Sequence, residues 1–169
     1  MRDKLDRLWA PWRLEYIKSA VARPDGCFLC EALASGNDRE KLLLHRDKLT
    51  FVIMNLYPYN NGHLLVAPIR HVGGLDDLTT DELTALGEHT RRAVRWLDKA
   101  YSPHGYNIGL NLGSVAGAGL PDHIHWHIVP RWDGDTNFMP VLGGTKVIAE
   151  GLRASYDQIK KVIEEDLKK

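Results

Sequence analysis

Residues 123–128 alternate strictly between histidine and a large apolar side chain. Successive side chains of a β-strand point to opposite faces, whereas a helix would scatter the same residues around its axis. The alternation therefore predicts a strand that buries Ile124, Trp126 and Ile128 and holds three imidazoles about 7 Å apart on its other face. Each buried ring would need a hydrogen-bond partner, so burying three histidines only to fill space would cost free energy. We predict a functional site there; the alternative is a polar strand face with solvated histidines.

Short apolar runs separated by turn residues occupy most of the remaining chain. They predict strands over 41–45, 50–54, 62–68 and 106–112, beside the histidine strand over 123–130. A capping box, Thr79-x-x-Glu82, opens a long helical repeat, and shorter helical patterns occur over 27–34 and around Tyr156. This order predicts an α+β fold with a mainly antiparallel five-stranded sheet, one long central helix and a C-terminal helix.

No internal repeat or linker divides the 169 residues, so we predict one domain over 27–169 and an arm over 1–26 that is rich in aromatic residues. The 22 Lys and Arg residues balance 22 Asp and Glu residues. A net charge of zero disfavours partners held by bulk electrostatics, such as duplex nucleic acid or an anionic membrane. No apolar run approaches the roughly 18 residues of a membrane helix, and a signal peptide is not recognisable, so the expected location is the cytoplasm.

A glycine-rich loop over 113–119 stands immediately before the histidine strand. Backbone N–H groups of such a loop can form an anion-binding nest, which would place a phosphate opposite the histidine row. Two kinds of chemistry fit this arrangement. A His-x-His pair can bind a zinc ion that activates water, or one neutral imidazole can attack an electrophile and form a covalent intermediate.

Two cysteines, Cys27 and Cys30, are the only ones in the chain and are separated by two residues. Such a pair can be a redox couple, half of a zinc site, or two reduced thiols. A redox couple would follow a strand in a thioredoxin-like βαβ unit, which this sequence does not show. A zinc site needs four ligands, so two further ligands would have to come from elsewhere.

Two motifs carry a family resemblance. His123-Ile-His-Trp-His-Ile-Val resembles the signature of the histidine triad (HIT) superfamily, and Asn60-Asn-Gly-His-Leu-Leu-Val-Ala-Pro resembles the strand upstream of it. Leu8-Trp-Ala-Pro-Trp-Arg and the residues around Asn55 and Trp132 are similar to the branch that includes the bacterial diadenosine tetraphosphate phosphorylases. The resemblance implies a HIT-like fold, a two-fold dimer, and a nucleotide hydrolase or nucleotidyltransferase that works through a nucleotidyl-histidine intermediate.

The resemblance also implies roles for single residues. His125 would be the nucleophile, with His127 and His63 in the same phosphate pocket. Nucleotide or phosphate contacts would come from Asn55 (a ribose hydroxyl), Asn111, Ser114, Gly119 and Trp132. The loop before His123 is one residue longer than in most relatives, and Gly119 replaces a side-chain donor there. Trp132 has a second interpretation, as a core or interface aromatic residue.

For the cysteine pair, the resemblance implies a structural zinc ion on Cys27, Cys30, His71 and His123, and no organic cofactor. Reduced cysteines without metal are the alternative.

The implied substrate is a dinucleoside polyphosphate, such as diadenosine tetraphosphate, or a nucleotide conjugate, with adenine as the preferred base. The sequence does not choose between water and inorganic phosphate as the acceptor. Two other functions stay open: a catalytically weak nucleotide-binding dimer with a regulatory role, and a zinc-dependent phosphohydrolase that uses the histidine row. The remaining histidines, His45, His89 and His104, are expected on the surface.

Overall fold

The computed structural model describes residues 26–137 and 148–168, so the predicted arm lies outside the described residues except for Gly26. In chain order the elements are α1 (Phe28–Ala34), β1 (Leu43–Arg46), β2 (Thr50–Met54), β3 (Leu64–Pro68), α2 (Thr80–Tyr101), β4 (Gly105–Leu110), β5 (Trp126–Arg131) and α3 (Leu152–Leu167). A short 3-10 turn, Ser114–Ala116, lies in the glycine-rich loop. None of the helices in these two ranges has the length and apolar character needed to cross a membrane.

The five strands form one sheet in the order β1-β2-β3-β5-β4, and every neighbouring pair is antiparallel. The predicted α+β fold with an antiparallel five-stranded sheet is confirmed. Because β5 lies between β3 and β4, His127 is paired with Leu65 on one side and Gly109 on the other. The histidine strand is therefore held by backbone hydrogen bonds on both edges.

The two faces of the sheet carry different layers. The long helix α2 and the C-terminal helix α3 pack on one face, where Trp96, Ile128 and Ile159 are fully buried. The other face is packed by α1 through Leu29 and Ala32. Seven residues of helix extend only about 10 Å, so α1 covers only part of this second face. The histidine side chains lie on this partly covered face.

The capping box that opens α2 also fixes the chain before His71. The Thr79 hydroxyl accepts from the Glu82 N–H at 3.2 Å, and the Glu82 carboxylate accepts from the Thr79 N–H at 2.8 Å. That carboxylate also receives both Arg70 Nε (3.0 Å) and Nη2 (2.8 Å). The Arg70 hydrogen bonds hold the pKa of Glu82 at about 2. The residue that precedes His71 is thereby attached to the start of the long helix.

The histidine strand begins later than predicted, at Trp126 instead of residue 123. The alternation survives this difference, since Ile124 and Ile128 lie in the core and Trp126 packs against it. The preceding residues use their polar groups elsewhere. The Ile124 N–H donates to the Val72 carbonyl at 2.7 Å, and the rings of His123 and His125 bond to the carbonyl groups of Pro68 and His123.

The expectation that His89 lies on the surface is wrong. Its ring is buried, with Nδ1 2.6 Å from the Thr50 hydroxyl, because His89 shares its helix face with Leu86 and Ala93. His45 is half-buried with its ring 5.2 Å from that of His89. Of these three histidines, only His104 has an exposed ring, as expected.

Candidate functional site

The ring of His125 is buried and held in one orientation by its own chain. Its Nδ1 lies 2.7 Å from the carbonyl oxygen of His123, and the residue is only 7% exposed. A carbonyl oxygen can only accept, so Nδ1 carries the proton and the lone pair of the neutral ring is on Nε2. A neutral imidazole with a fixed Nε2 lone pair is suited to attack an electrophile.

His63 and His127 form a hydrogen-bonded pair, and His127 is in contact with the ring of His125. The Nε2 atom of His63 lies 3.0 Å from Nδ1 of His127, and the rings of His127 and His125 are 5.0 Å apart. Burial, followed by the charges of His127 and His125, lowers the pKa of His63 to about 3. Burial and the charge of His125 lower the pKa of His127 to about 4. Both rings are therefore neutral at pH 7.

These shifts predict that acid destabilises the fold through His63 and His127. An unfolded histidine has a pKa of about 6.5, so between pH 7 and 4 the unfolded chain binds protons that the folded chain does not. The free energy of unfolding therefore decreases as the pH is lowered, by roughly 2 kcal/mol per neutral histidine between pH 7 and pH 5. Urea unfolding at both pH values measures this loss, which we expect to be smaller by about that amount in His63→Gln.

The control for this measurement is His104→Gln, which removes an exposed histidine and should retain more of the wild-type dependence on pH. An equal pH dependence of the unfolding free energy in wild type and His63→Gln would contradict the neutral buried state of His63.

The histidines open onto a cavity of about 440 Å³. Beside His125 and His127, its wall in the described part of the chain consists of Gly26, Phe28, Glu31, Asn55, Leu56, Tyr57, Tyr59, Leu65, Gly117, Gly119 and Leu120. The wall is thus largely aromatic and apolar, and the imidazoles of His125 and His127 lie together within it. That combination suits a ligand with a flat apolar group and a reactive polar centre.

The predicted nucleotide contacts divide into two groups. Asn55 and Gly119 line the cavity, whereas Asn111, Ser114 and Trp132 do not belong to its described wall. The Asn111 amide nitrogen lies 3.5 Å from the Gly117 carbonyl oxygen, and the Trp132 ring meets Tyr101 edge-on at 6.4 Å.

The glycine-rich loop uses several of its own amides. The N–H groups of Ala116 and Ala118 donate to the Gly113 carbonyl, and that of Gly117 donates to the Ser114 carbonyl. Gly113 and Gly117 have φ values of 76° and 89°, which favour glycine. These three N–H groups are engaged within the loop, so an anion nest would depend on the others.

Four side chains from separate parts of the chain converge beside the histidine strand. Cys27 Sγ lies 3.2 Å from His123 Nδ1, and Cys30 Sγ lies 3.3 Å from His71 Nδ1. All four ligand atoms lie within 4.8 Å of one another. The Nε2 atom of His123 donates to the Pro68 carbonyl at 2.9 Å, so the lone pair of the neutral ring is on Nδ1, beside the thiols.

This group fits a tetrahedral metal ion. Two thiols and two imidazoles are a common zinc ligand set, and ligand atoms of such a site lie about 3.4 to 3.8 Å apart. Burial, and then the neighbouring Cys27, raise the pKa of the Cys30 thiol to about 11, so a bound cation would be needed to ionise that thiol near pH 7. The four sequence-predicted ligands, Cys27, Cys30, His71 and His123, are brought together.

A zinc site formed by the histidine row itself does not fit the geometry. The ring of His123 is directed to the thiols, that of His125 to a carbonyl group, and that of His127 to His63. Among the described residues, the group that could hold a metal ion includes neither His125 nor His127. The row therefore separates into one member at the candidate metal centre and two in the cavity.

Sequence reasoning missed Tyr59, which lies between the predicted site residues Asn55 and His63. Tyr59 stacks on His127, with ring centroids 5.8 Å apart and planes 12° apart, and its N–H donates to His63 Nδ1 at 3.0 Å. Phe28 and Glu31, from α1, also line the cavity. The aromatic residues Tyr57 and Tyr59, close before His63, were a usable signal in the sequence.

The chain is similar to known proteins over most of its length. Residues 37–134 match the family described as "HIT domain". The chain is 44% identical over 158 residues to the AP-4-A phosphorylase of Mycobacterium tuberculosis, covering 90% of this chain and 81% of that protein. It is also 41% identical over 93 residues to the asymmetrical bis(5'-nucleosyl)-tetraphosphatase of Schizosaccharomyces pombe, covering 55% of this chain and 50% of that protein.

Solved structures share the fold. A Zn-bound histidine triad family protein from Mycobacterium smegmatis superimposes with a TM-score of 0.68 at 22% identity, over 85% of this chain and 98% of that one. A hypothetical histidine triad nucleotide-binding protein from Sulfolobus tokodaii gives a TM-score of 0.64 at 26% identity, over 84% and 92%. With the domain match over 37–134 and the 44% identity over most of its length, the chain belongs to the HIT domain family.

Proposed function

We propose that this protein cleaves dinucleoside polyphosphates, with diadenosine tetraphosphate as the first candidate, through a covalent nucleotidyl intermediate on His125. One observation carries the proposal: the His123 carbonyl accepts from His125 Nδ1, which directs Nε2 of that ring to act as the nucleophile in the wall of a ligand-sized cavity. The names of the relatives add the substrate class, since one is an AP-4-A phosphorylase and another a bis(5'-nucleosyl)-tetraphosphatase.

In the first step, the Nε2 lone pair of His125 forms a bond to the α-phosphorus of the substrate, and the bond from phosphorus to the bridging oxygen breaks. The bonding electrons leave with the polyphosphate, which is ATP for diadenosine tetraphosphate. The modified ring carries a positive charge and keeps its proton on Nδ1, where the His123 carbonyl accepts it at 2.7 Å. That hydrogen bond is stronger to a charged donor, so it stabilises the intermediate more than the free ring.

In the second step, an acceptor oxygen attacks the phosphorus and the electron pair of the N–P bond returns to Nε2. We propose inorganic phosphate as the acceptor, because the relative that matches 90% of this chain is a phosphorylase. Transfer of the adenylyl group to phosphate yields ADP, and transfer to water would yield AMP. His127 lies against the nucleophile in the cavity wall, and His63 lies behind it against His127; both belong to the proposed catalytic group.

The proposed nucleotide contacts are led by Asn55 and Gly119, which line the cavity. Contacts from Asn111, Ser114 and Trp132 stay predictions from the family resemblance. The aromatic and apolar wall, with Phe28 at one side, is suited to a purine such as adenine.

For the metal centre, we propose a zinc ion held by Cys27, Cys30, His71 and His123. Such an ion would connect the start of α1, the segment after β3 and the segment before β5, so its contribution would be to stability and to the position of the chain beside His125. A two-fold dimer and a cytoplasmic location also stay predictions.

The decisive experiment is product analysis with diadenosine tetraphosphate, with and without inorganic phosphate. We expect ADP and ATP in equal amounts, formed only when phosphate is present. AMP and ATP in both conditions would identify a hydrolase, and would refute the choice of phosphate while keeping the covalent route. Tight nucleotide binding without cleavage in either condition would refute the proposed enzyme and favour a binding dimer.

A further inference from the structure

One residue in the described wall of the cavity carries a carboxyl group. Glu31 is the only Asp, Glu, Lys or Arg there, and the other polar side chains are an amide, two phenols and two imidazoles. A carboxylate accepts hydrogen bonds and repels phosphate groups. Glu31 therefore disfavours a polyphosphate at its own part of the cavity and favours a ligand group that donates hydrogen bonds.

Helix α1 holds Glu31 at the cavity beside an aromatic ring. Phe28 and Glu31 are three positions apart, so they share one side of the helix, and both line the cavity. Leu29 and Ala32 are buried and pack the helix onto the sheet. Because these two residues anchor α1, the side that carries Phe28 and Glu31 stays at the cavity.

The carboxylate of Glu31 has room in the wall and no partner there. Its Oε1 atom lies 2.8 Å from the position that a Cβ atom at Gly26 would take, so the lack of a side chain at Gly26 leaves space for this oxygen. Within residues 26–137 and 148–168, no cation or hydrogen-bond donor pairs with the carboxylate. Both of its oxygens are therefore available to a ligand.

Three apolar side chains of the same wall are exposed. Phe28 is 39% exposed, Leu56 is 56% exposed and Tyr57 is 63% exposed. Exposed apolar groups around a concave site are typical of a surface that a ligand covers. A purine ring has two apolar faces and hydrogen-bonding groups only at its edge, so it can cover these side chains and present an amino group to the carboxylate.

We infer that Glu31 determines the base specificity of the cavity by accepting a hydrogen bond from the exocyclic amino group of adenine. The inference rests on the proposed function for the nucleotide. Hypoxanthine carries a carbonyl oxygen where adenine carries this amino group, and a carboxylate would repel that oxygen. Glu31 also lies in the first turn of α1, where a negative charge favours the helix, but that role does not distinguish one base from another.

The test compares two nucleotides that differ only in the amino group, AMP and purine riboside 5′-monophosphate. Titration calorimetry with the full chain gives Kd for both. We expect the wild type to bind AMP about tenfold more tightly than the analogue, because the hydrogen bond is made to a charged group. In Glu31→Ala the acceptor is gone, so the two Kd values should agree within about twofold. Glu31→Gln keeps an accepting oxygen without the charge, so its preference should be intermediate.

Glu40→Gln is the matched control, because Glu40 is an exposed carboxylate outside the described cavity wall and accepts from Asn37 Nδ2 at 2.8 Å. Its preference for AMP should equal that of the wild type. Equal Kd values for the two nucleotides in the wild type, or an unchanged ratio in Glu31→Ala, would overturn the inference. An equal loss of affinity for both nucleotides is the second of these results, and a ribose contact or a role in helix stability would produce it.

The binding ratio does not depend on turnover. Absence of cleavage of diadenosine tetraphosphate would refute the proposed enzyme, and the Kd values of wild type and Glu31→Ala would still decide the role of Glu31. If the wild type binds neither nucleotide, both proposals are wrong. Where cleavage occurs, kcat/KM should fall about tenfold in Glu31→Ala, mostly through KM, because a base contact is the same before and during the reaction. A fall confined to kcat would contradict a contact with the base.

Discussion

Replacing His125 with alanine lowers kcat for diadenosine tetraphosphate by on the order of 10⁴-fold or more, and leaves the fold intact. The decrease in kcat is large because loss of the covalent nucleophile removes the two-step reaction path and leaves only binding and electrostatic stabilisation. The ring of His125 is not one of the four ligands of the candidate metal centre, and its Nδ1 bond to the His123 carbonyl is made within its own chain segment. Circular dichroism and urea unfolding should therefore remain close to those of the wild type.

The covalent step is checked directly by quenching a single turnover in alkali, where phosphohistidine survives, and measuring the intact mass of the protein. We expect a gain equal to one adenylyl group in the wild type and none in His125→Ala. His104→Ala is the matched control, because its exposed ring lies outside the cavity wall and should leave kcat unchanged. Retention of kcat within tenfold in His125→Ala, or no mass gain in the wild type, would refute the proposed nucleophile.

The period of the histidine row predicted the fold around it well, because a two-residue period has only one regular backbone interpretation. Ile124 and Ile128 lie in the core as expected, and His127 faces the partly covered side of the sheet. The same period did not show that His123 is directed to two thiols while His125 bonds to a carbonyl. Those choices depend on hydrogen-bond partners from other elements, which a pattern within one strand does not contain.

The residues whose positions were not predicted from the sequence were missed for one physical reason. Tyr59 acts through its backbone N–H and through stacking on His127, and neither is encoded by a spacing rule. His89 was expected on the surface, yet its ring is buried with Nδ1 2.6 Å from the Thr50 hydroxyl. Such partners come from parts of the chain that meet only after folding, so burial of a polar group is predicted poorly from its own segment.

Cys30→Ser is expected to lower the melting temperature by roughly 10 °C, because a structural zinc ion contributes several kcal/mol and each kcal/mol shifts the midpoint of a domain this size by about 2 to 4 °C. Metal analysis should find about one zinc per wild-type chain and much less in the variant. A strong chelator distinguishes lost metal from lost packing, since it should lower the melting temperature of the wild type by a similar amount and leave Cys30→Ser unaffected. Because the four ligands lie outside the His63, His125 and His127 group, kcat measured well below the melting temperature should fall only modestly.

A wild-type melting temperature that does not change when the chelator is added would refute the zinc site. Loss of turnover in a chelated but folded protein would instead support a role of zinc in catalysis.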